Sequence, residues 1–495
     1  MLARSGWGGK APVTFERPPT MLFNSTEYGV FLVVVFVLFW ALARYKTMRL
    51  VLLLVASYLF YASWNLTYLG LIVFSTAVDY FIGLAMASTE AERKRKALLV
   101  LSLGINLGML AVFKYYNFFI DSIERSVDFV GQGPVALPHL DVLLPVGISF
   151  YTFQTLSYSI DLYRRRIEPC RNPLKFFVYV AFFPQLVAGP IVRAVEFLPQ
   201  LDEDPKVTAA QVTQGGLLIM MGLIKKVAIG DYIALNFVDR VFDTPEMFSA
   251  LEILMAVYGY GMQIYCDFSG YTDVAIGSSL LMGFTLPVNF NRPYKADSIQ
   301  DFWHRWHITL STWLRDYLFI PLGGSRGSNA MIYRNLLLTM LLGGLWHGAS
   351  WHFVMWGAAH GLMLALTRAW KTFRTSQGID VEAWPWYRPL MVFLTFQFVS
   401  FTWILFRCED MDKVMAVMER LGTMTTGAGN LTAMVMLLLW GSYAWHMTPN
   451  AWRDRAMVIF NKLPVPVQVA VFVGIVVVLQ RVAETDVVPF IYFQF

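Results

Sequence analysis

The chain has 495 residues, 57% of them hydrophobic and only 15% charged, and its mean hydropathy is +0.51; a soluble domain carries about 25% charged residues. A soluble enzyme is therefore excluded. The formal charge of +5 is small for this length and no reader motif occurs, so there is no nucleic-acid footprint.

Taken in chain order, residues 1–20, "MLARSGWGGKAPVTFERPPT", are polar, basic and rich in Gly and Pro. They read as a disordered extension, and Met21 is the preferred start. The apolar run behind them ends in Ala41-Leu42-Ala43 and so mimics a signal peptide, but the charge pattern argues otherwise. Basic loops at 44–49, 93–96 and 164–171 alternate with the turn at Asn65 and the loop at 117–139, whose one basic residue is Arg125. With spans near 28–43, 50–64, 67–87, 97–114 and 142–162, this is the alternation of the positive-inside rule.

Beyond residue 171 the pattern is irregular. "FFPQLVAGPIVR" (182–193) interrupts an apolar run with Pro184, Gly189 and Pro190. Irregular backbone at membrane depth is tolerated only inside protein or beside a watery cavity. Further spans are expected near 212–229, 248–267, 336–346, 351–369, 388–406, 429–446 and 465–482. The fold class is all-α: a polytopic membrane protein of roughly 11–13 hydrophobic helices, since each spans about 20 residues. Residues 21–495 read as a single membrane domain. Cys170, Cys266 and Cys408 are too far apart for a disulfide framework or a zinc knuckle and read as packing residues.

Within 261–277, Gln263, Asp267, Ser269 and Asp273 sit in a hydrophobic setting. Two readings stay open. Either local hydrogen bonds stabilise a helix break, or the two aspartates orient a histidine or pair with an arginine.

Between 287 and 335 the hydropathy collapses. Residues 298–318 read as an amphipathic helix started by Asp297 or Ser298. Ile299, Phe302, Trp303, Trp306, Leu310, Trp313, Leu314 and Tyr317 form one face. His304 falls on the polar side with Arg305 and Arg315, and His307 at the edge of the apolar arc near Ser311. The bland reading is a helix lying on the membrane surface.

"LLLTMLLGGLWHGASWHFVMWGAAHG" (336–361) carries His347, His352 and His360. Intramembrane ionisable groups are candidate functional residues. A helical zinc pair needs four-residue spacing and an intervening Glu, whereas His347 and His352 are five apart in a stretch without carboxylates, so no metal site is expected. Ser311 and Ser350 lack a nucleophile-elbow sequence. What remains is a lone imidazole whose burial disfavours the charged form and leaves a neutral base for a hydroxyl proton. Gly343, Gly344 and Gly348 surround His347, and small residues admit a neighbouring backbone or a thin substrate. His352 reads as a packing residue beside Trp351 and His360 as a helix-contact residue.

"YCDFSGYTDVAIGSSLLMGFTLPVNFNRPY", "DFWHRWHITLSTWLRDYLFIPLGG" and "LLGGLWHGASWHFVMWGAAHG" resemble, in this order, the membrane-bound O-acyltransferase (MBOAT) family, in its bacterial branch of alginate O-acetyltransferase membrane subunits and D-alanyl-transferring relatives. The resemblance extends from Met21 to the end of the chain. It implies a ring of helices around a thin centre, with re-entrant and amphipathic helices, where a cytoplasmic funnel meets an extracytoplasmic one. Residues 287–335 would face the cytoplasm. It places the family's intramembrane histidine on His347 and a second important histidine on His307. Asp267, Asp273, Ser311, Trp303, Trp346, Arg315 and Asp316 become candidates for the substrate path.

The implied function is an O-acyltransferase, with an acetyl transfer preferred, of the bacterial inner membrane. No cofactor is bound, and acetyl-CoA or another acyl thioester is the donor substrate. The acceptor is an extracytoplasmic polysaccharide hydroxyl, reached directly or through periplasmic acetyl-transfer proteins, with membrane lipid around the chain. D-alanyl or other acyl transfer to a cell-wall polymer is an alternative. A transporter is another, although the inverted repeats of that class are not visible, as is a non-catalytic scaffold of a polysaccharide secretion complex.

Overall fold

In a bilayer the backbone must satisfy its own hydrogen bonds, and the apolar runs of this chain do so as helices. The computed structural model describes residues 21–482 apart from 132 and 188, together with Phe490. No strand occurs among the described residues. The expectation for residues 1–20 lies outside them.

Helices α1 (Thr26–Ala41), α2 (Lys46–Ala62), α3 (Leu66–Ala87), α4 (Glu92–Leu110), α5 (Tyr116–Phe129), α6 (Ile148–Tyr163) and α7 (Pro173–Ala181) come first. They are followed by α8 (Ala209–Leu223), α9 (Ala250–Leu281), α10 (Ile299–Arg305), α11 (Ile308–Leu314), α12 (Asn329–His347) and α13 (Trp351–Ser376). The last are α14 (Tyr387–Arg407), α15 (Met411–Gly422), α16 (Ala433–Met447), α17 (Asn450–Asn461) and α18 (Val465–Val482). Twelve of these helices have 15 residues or more, which agrees with the number of hydrophobic helices expected.

By length and composition alone, three stretches among the described residues could cross a membrane, namely α3, the continuous 92–129 rod of α4 and α5, and α14, or four if the bent pair of α17 and α18 is one span. Other helices differ in how far protein covers them: α9 buries most of its residues, whereas α1 and α18 expose rows of valines, among them Val33, Val37, Val469 and Val473. Helix α6 buries 14 of its 16 residues, six of them Ser, Thr or Gln. Side chains mark the starts: Ser25 caps α1 and Asn65 caps α3, while Thr208 with Gln211 and Ser249 with Glu252 form capping boxes on α8 and α9.

The basic loops gather at one end of the bundle. Lys46 pairs with Asp202 at 2.8 Å, Arg49 donates to the Glu203 carbonyl at 2.9 Å, and Arg165 pairs with Glu90 at 2.5 Å.

Three expectations need correction. The 117–139 loop contains helix α5, and Ser122 on that helix accepts from Trp351 Nε1 at 3.1 Å. Residues 261–277 hold no break; α9 runs straight through them. Its polar side chains meet partners on a neighbouring segment, and its glycines meet glycines. A Cβ on Gly222 would lie 2.6 Å from the Gly270 carbonyl oxygen, and one on Gly277 2.6 Å from that of Gly215. The two glycine pairs, seven residues apart on both helices, bring α8 and α9 into backbone contact. The third correction concerns 298–318, which is not one surface helix. It splits into α10 and α11 at Trp306 and His307, and all eight residues of the expected apolar face are buried.

Candidate functional site

His307 stands at the break between α10 and α11 with φ +42°. A non-glycine residue in this left-handed region costs about 1–3 kcal/mol and persists where its surroundings over-determine it. The segment before α10 does so here. The Ile308 N–H donates to the Asn289 carbonyl at 2.9 Å, and the Asn291 N–H to the Arg305 carbonyl at 2.9 Å. The Asn289 side chain adds more: its Oδ1 accepts from the Thr309 N–H at 3.2 Å and from the Thr309 hydroxyl at 2.9 Å. His307 Nδ1 donates to the same oxygen at 3.1 Å. The imidazole is fully buried between Phe268 (ring centroids 4.7 Å apart), Trp346 (6.0 Å) and Phe150 (6.4 Å).

His347 is the last residue of α12. The final carbonyls of a helix lack intrahelical partners, and here two consecutive residues supply them. Tyr115 donates its hydroxyl to the Leu345 carbonyl at 3.0 Å. Lys114 donates to the carbonyls of Trp346 at 2.6 Å and His347 at 3.1 Å. Both lie on the π-helical turn Ala111–Tyr115 that joins α4 to α5. The His347 ring is met edge-on by Trp346 (5.0 Å), Trp356 (5.1 Å) and Phe406 (5.3 Å). A small, partly open cleft has Lys114, Ser149, Phe150, Trp346 and His347 among its lining. One indole, Trp346, thus stands against both histidines.

The glycines near His347 serve packing rather than clearance for a substrate. A Cβ on Gly344 would lie 2.3 Å from the Phe353 carbonyl oxygen, and one on Gly348 2.1 Å from the Phe353 ring. They allow the tight α12–α13 hairpin. The other two histidines of the stretch contact α14, as expected of packing residues: His352 Nδ1 is 2.9 Å from the Leu405 carbonyl and His360 Nε2 3.1 Å from Thr402 Oγ1.

The remaining candidates scatter. Trp303 packs on Trp356 (5.7 Å) and His360 (5.4 Å). Ser311 stays near His307 through its own helix, its N–H donating to the His307 carbonyl at 3.0 Å. Arg315 is exposed and pairs with Asp316 at 2.7 Å, which also takes Arg193 at 2.8 Å. Asp273 pairs with Lys225 and Asp267 with Lys226, each at 2.6 Å. The expected arginine partner of the aspartates is replaced by lysines of the π-helical segment Ile224–Asp231. His304 is exposed, on the solvated face expected for it.

Sequence reasoning missed Asn289, Lys114 and His446. Lys114 had a signal, as a lone cation at the end of an apolar run. His446 is buried and accepts the Tyr294 N–H at 3.2 Å. Asn289 had none, because an asparagine in a polar stretch is unremarked until its partner is known.

Among the described residues, one His/Asp/Glu cluster could hold a metal ion: Asp121, Glu124 and His139. It lies on α5 and the following loop, away from both histidines of the site. His139 Nε2 is 2.7 Å from Asp121, a contact that clasps the loop to α5.

The model of the MBOAT, membrane-bound O-acyltransferase family matches residues 58–406. The chain is 42% identical over 398 residues to the probable alginate O-acetylase AlgI of Azotobacter vinelandii, covering 79% of this chain and 76% of the relative. It is 41% identical over 403 residues to the protein of the same name in Pseudomonas aeruginosa, covering 81% and 74%. A peptidoglycan O-acetyltransferase of Helicobacter pylori is 36% identical over 441 residues, covering 82% and 81%. Two buried histidines on one indole, inside an all-helical membrane fold with this likeness, lead to one conclusion: the chain belongs to the membrane-bound O-acyltransferase family and is a multi-pass membrane O-acyltransferase.

Proposed function

We propose that the protein is an O-acetyltransferase of the bacterial inner membrane. It passes an acetyl group from a cytoplasmic thioester, acetyl-CoA, to a hydroxyl of an extracytoplasmic polysaccharide, directly or through a periplasmic partner. The observation that carries this reading is the pair of buried imidazoles against Trp346, with His347 lining an open cleft. The relatives named as alginate O-acetylases and a peptidoglycan O-acetyltransferase support acetyl as the group and a polysaccharide as the acceptor. The basic loops at one end of the bundle support a cytoplasmic position for that end, with residues 287–335 turned toward it.

His347 is the general base. It takes the proton of the attacking hydroxyl as oxygen bonds to the thioester carbonyl carbon. The C–S bond then breaks, and the thiolate leaves with the proton returned by the imidazole. His307, which also packs against Trp346, shares that proton. The aromatic rings packed on both imidazoles limit contact with water, which would otherwise hydrolyse the thioester. A positioned acid–base group contributes about 10²–10⁴-fold to rate.

The test is purified protein in nanodiscs, given radiolabelled acetyl-CoA and an oligosaccharide acceptor. His347→Ala should lose transfer by at least the lower end of that range while eluting and unfolding as the wild type does. A folded His347→Ala protein with wild-type transfer would overturn the assignment.

A further inference from the structure

We propose that Asn289 is a positioning residue for the reaction: it holds His307 in the tautomer that protonates Nδ1 and leaves Nε2 as the proton-accepting atom. The inference rests on the reading of His307 as a sharer of the acceptor proton.

Donors and acceptors around Asn289 fix the tautomer. A backbone N–H can only donate, so the side-chain atom of Asn289 that receives the Thr309 N–H is the amide oxygen. The orientation of the amide is thereby settled by the main chain. His307 Nδ1, 3.1 Å from that oxygen, must carry hydrogen. A neutral imidazole has one N–H, so the lone pair is on Nε2. That atom is buried and meets no hydrogen-bonding partner among the described residues.

The third contact supports the same orientation. Thr309 Oγ1 accepts from the Ile191 N–H at 3.0 Å. Its single hydrogen then points at Asn289 Oδ1, 2.9 Å away. Three donors converge on one oxygen, and Asn289 is itself fully buried. Ile191 belongs to the interrupted 182–193 segment. The break at Pro190 frees an amide that an unbroken helix would have used internally, and that amide orients Thr309. An isolated feature of the sequence is thus tied to the histidine three hydrogen bonds away.

The rings that face His307 are Phe150 from α6, Phe268 from α9 and Trp346 from α12. The titratable group near His307 is His347, close enough for the charges of the two imidazoles to interact, and Asn289 is the group whose oxygen meets Nδ1 and so sets which nitrogen carries the hydrogen.

Two substitutions test the role in the nanodisc assay. Asn289→Ala removes the acceptor and frees both tautomers; kcat should fall by about tenfold or more, part of the 10²–10⁴ ascribed to acid–base catalysis. Asn289→Asp still accepts all three hydrogens and adds a negative charge, which favours the imidazolium. The acid limb of its kcat/KM profile should move to higher pH, a change that a merely structural asparagine would not cause. His307→Ala is measured alongside. If His307→Ala keeps wild-type transfer, the proton-sharing reading itself fails. If His307→Ala is inactive while either folded Asn289 variant keeps the wild-type rate and pH profile, that reading stands and the positioning role is overturned. Should Asn289→Ala not fold, the pH profile of Asn289→Asp decides.

Discussion

Replacing Lys114 by Met should damage both stability and transfer, because one ammonium holds the end of the helix that carries His347. Lys114 Nζ takes the Trp346 carbonyl at 2.6 Å and the His347 carbonyl at 3.1 Å. A hydrogen bond to a charged group is worth about 1.5–3 kcal/mol net, and a cation at a helix C-terminus adds about 0.3–1 kcal/mol. Desolvating the partly buried ammonium offsets some of this. A net loss of about 1–3 kcal/mol is expected, the cost of an unmatched carbonyl. Tyr115→Phe removes only the Leu345 bond, so about 1 kcal/mol is expected from a single neutral hydrogen bond. The last turn of α12 then frays, and His347 moves with Trp346. A misplacement of about 1 Å costs about 10²-fold in rate. Thermal unfolding in detergent reads the first effect and acetyl transfer the second. If Lys114→Met matches the wild type in both, the capping argument is wrong.

Two further predictions concern other parts of the fold. Gly222→Leu drives a side chain into the Gly270 backbone, so it should destabilise by the ~1–3 kcal/mol of overpacking or more. Gly216→Ala, with nothing within 4 Å of its added Cβ, should unfold at the wild-type temperature; equal behaviour of the two variants would refute backbone contact between α8 and α9. Asp121 holds His139 above the usual histidine value. Because the folded value is raised, the clasp contributes fully below the unfolded value of about 6.5 and is lost as pH rises through the folded one. Amide exchange at 137–140, corrected for intrinsic rates, should speed up above that window in the wild type but not in His139→Gln. Protection that does not vary with pH would contradict the clasp.

Much was readable from residues alone. Twelve long helices follow from apolar runs, because a membrane leaves the backbone no other way to satisfy itself. Four of their starts are equally local, being capped by Ser25, Asn65, Thr208 and Ser249, since a cap needs only its own first turn. The buried face of 298–318 follows from periodicity, and the burial of His347 from the run around it. These properties depend on neighbours within a turn or two.

What only the tertiary structure decided depends on partners far along the chain. The helix at 298–318 breaks at His307 because Asn289, 18 residues earlier, supplies the hydrogen bonds that compensate the left-handed residue. The glycines by His347 admit α13, not a substrate. Asp267 and Asp273 meet Lys226 and Lys225, more than forty positions upstream, and Lys114 caps a helix end 232 residues away. Periodicity states which face of a helix is buried; which group meets that face is set by three-dimensional packing, and local pattern carries no record of it.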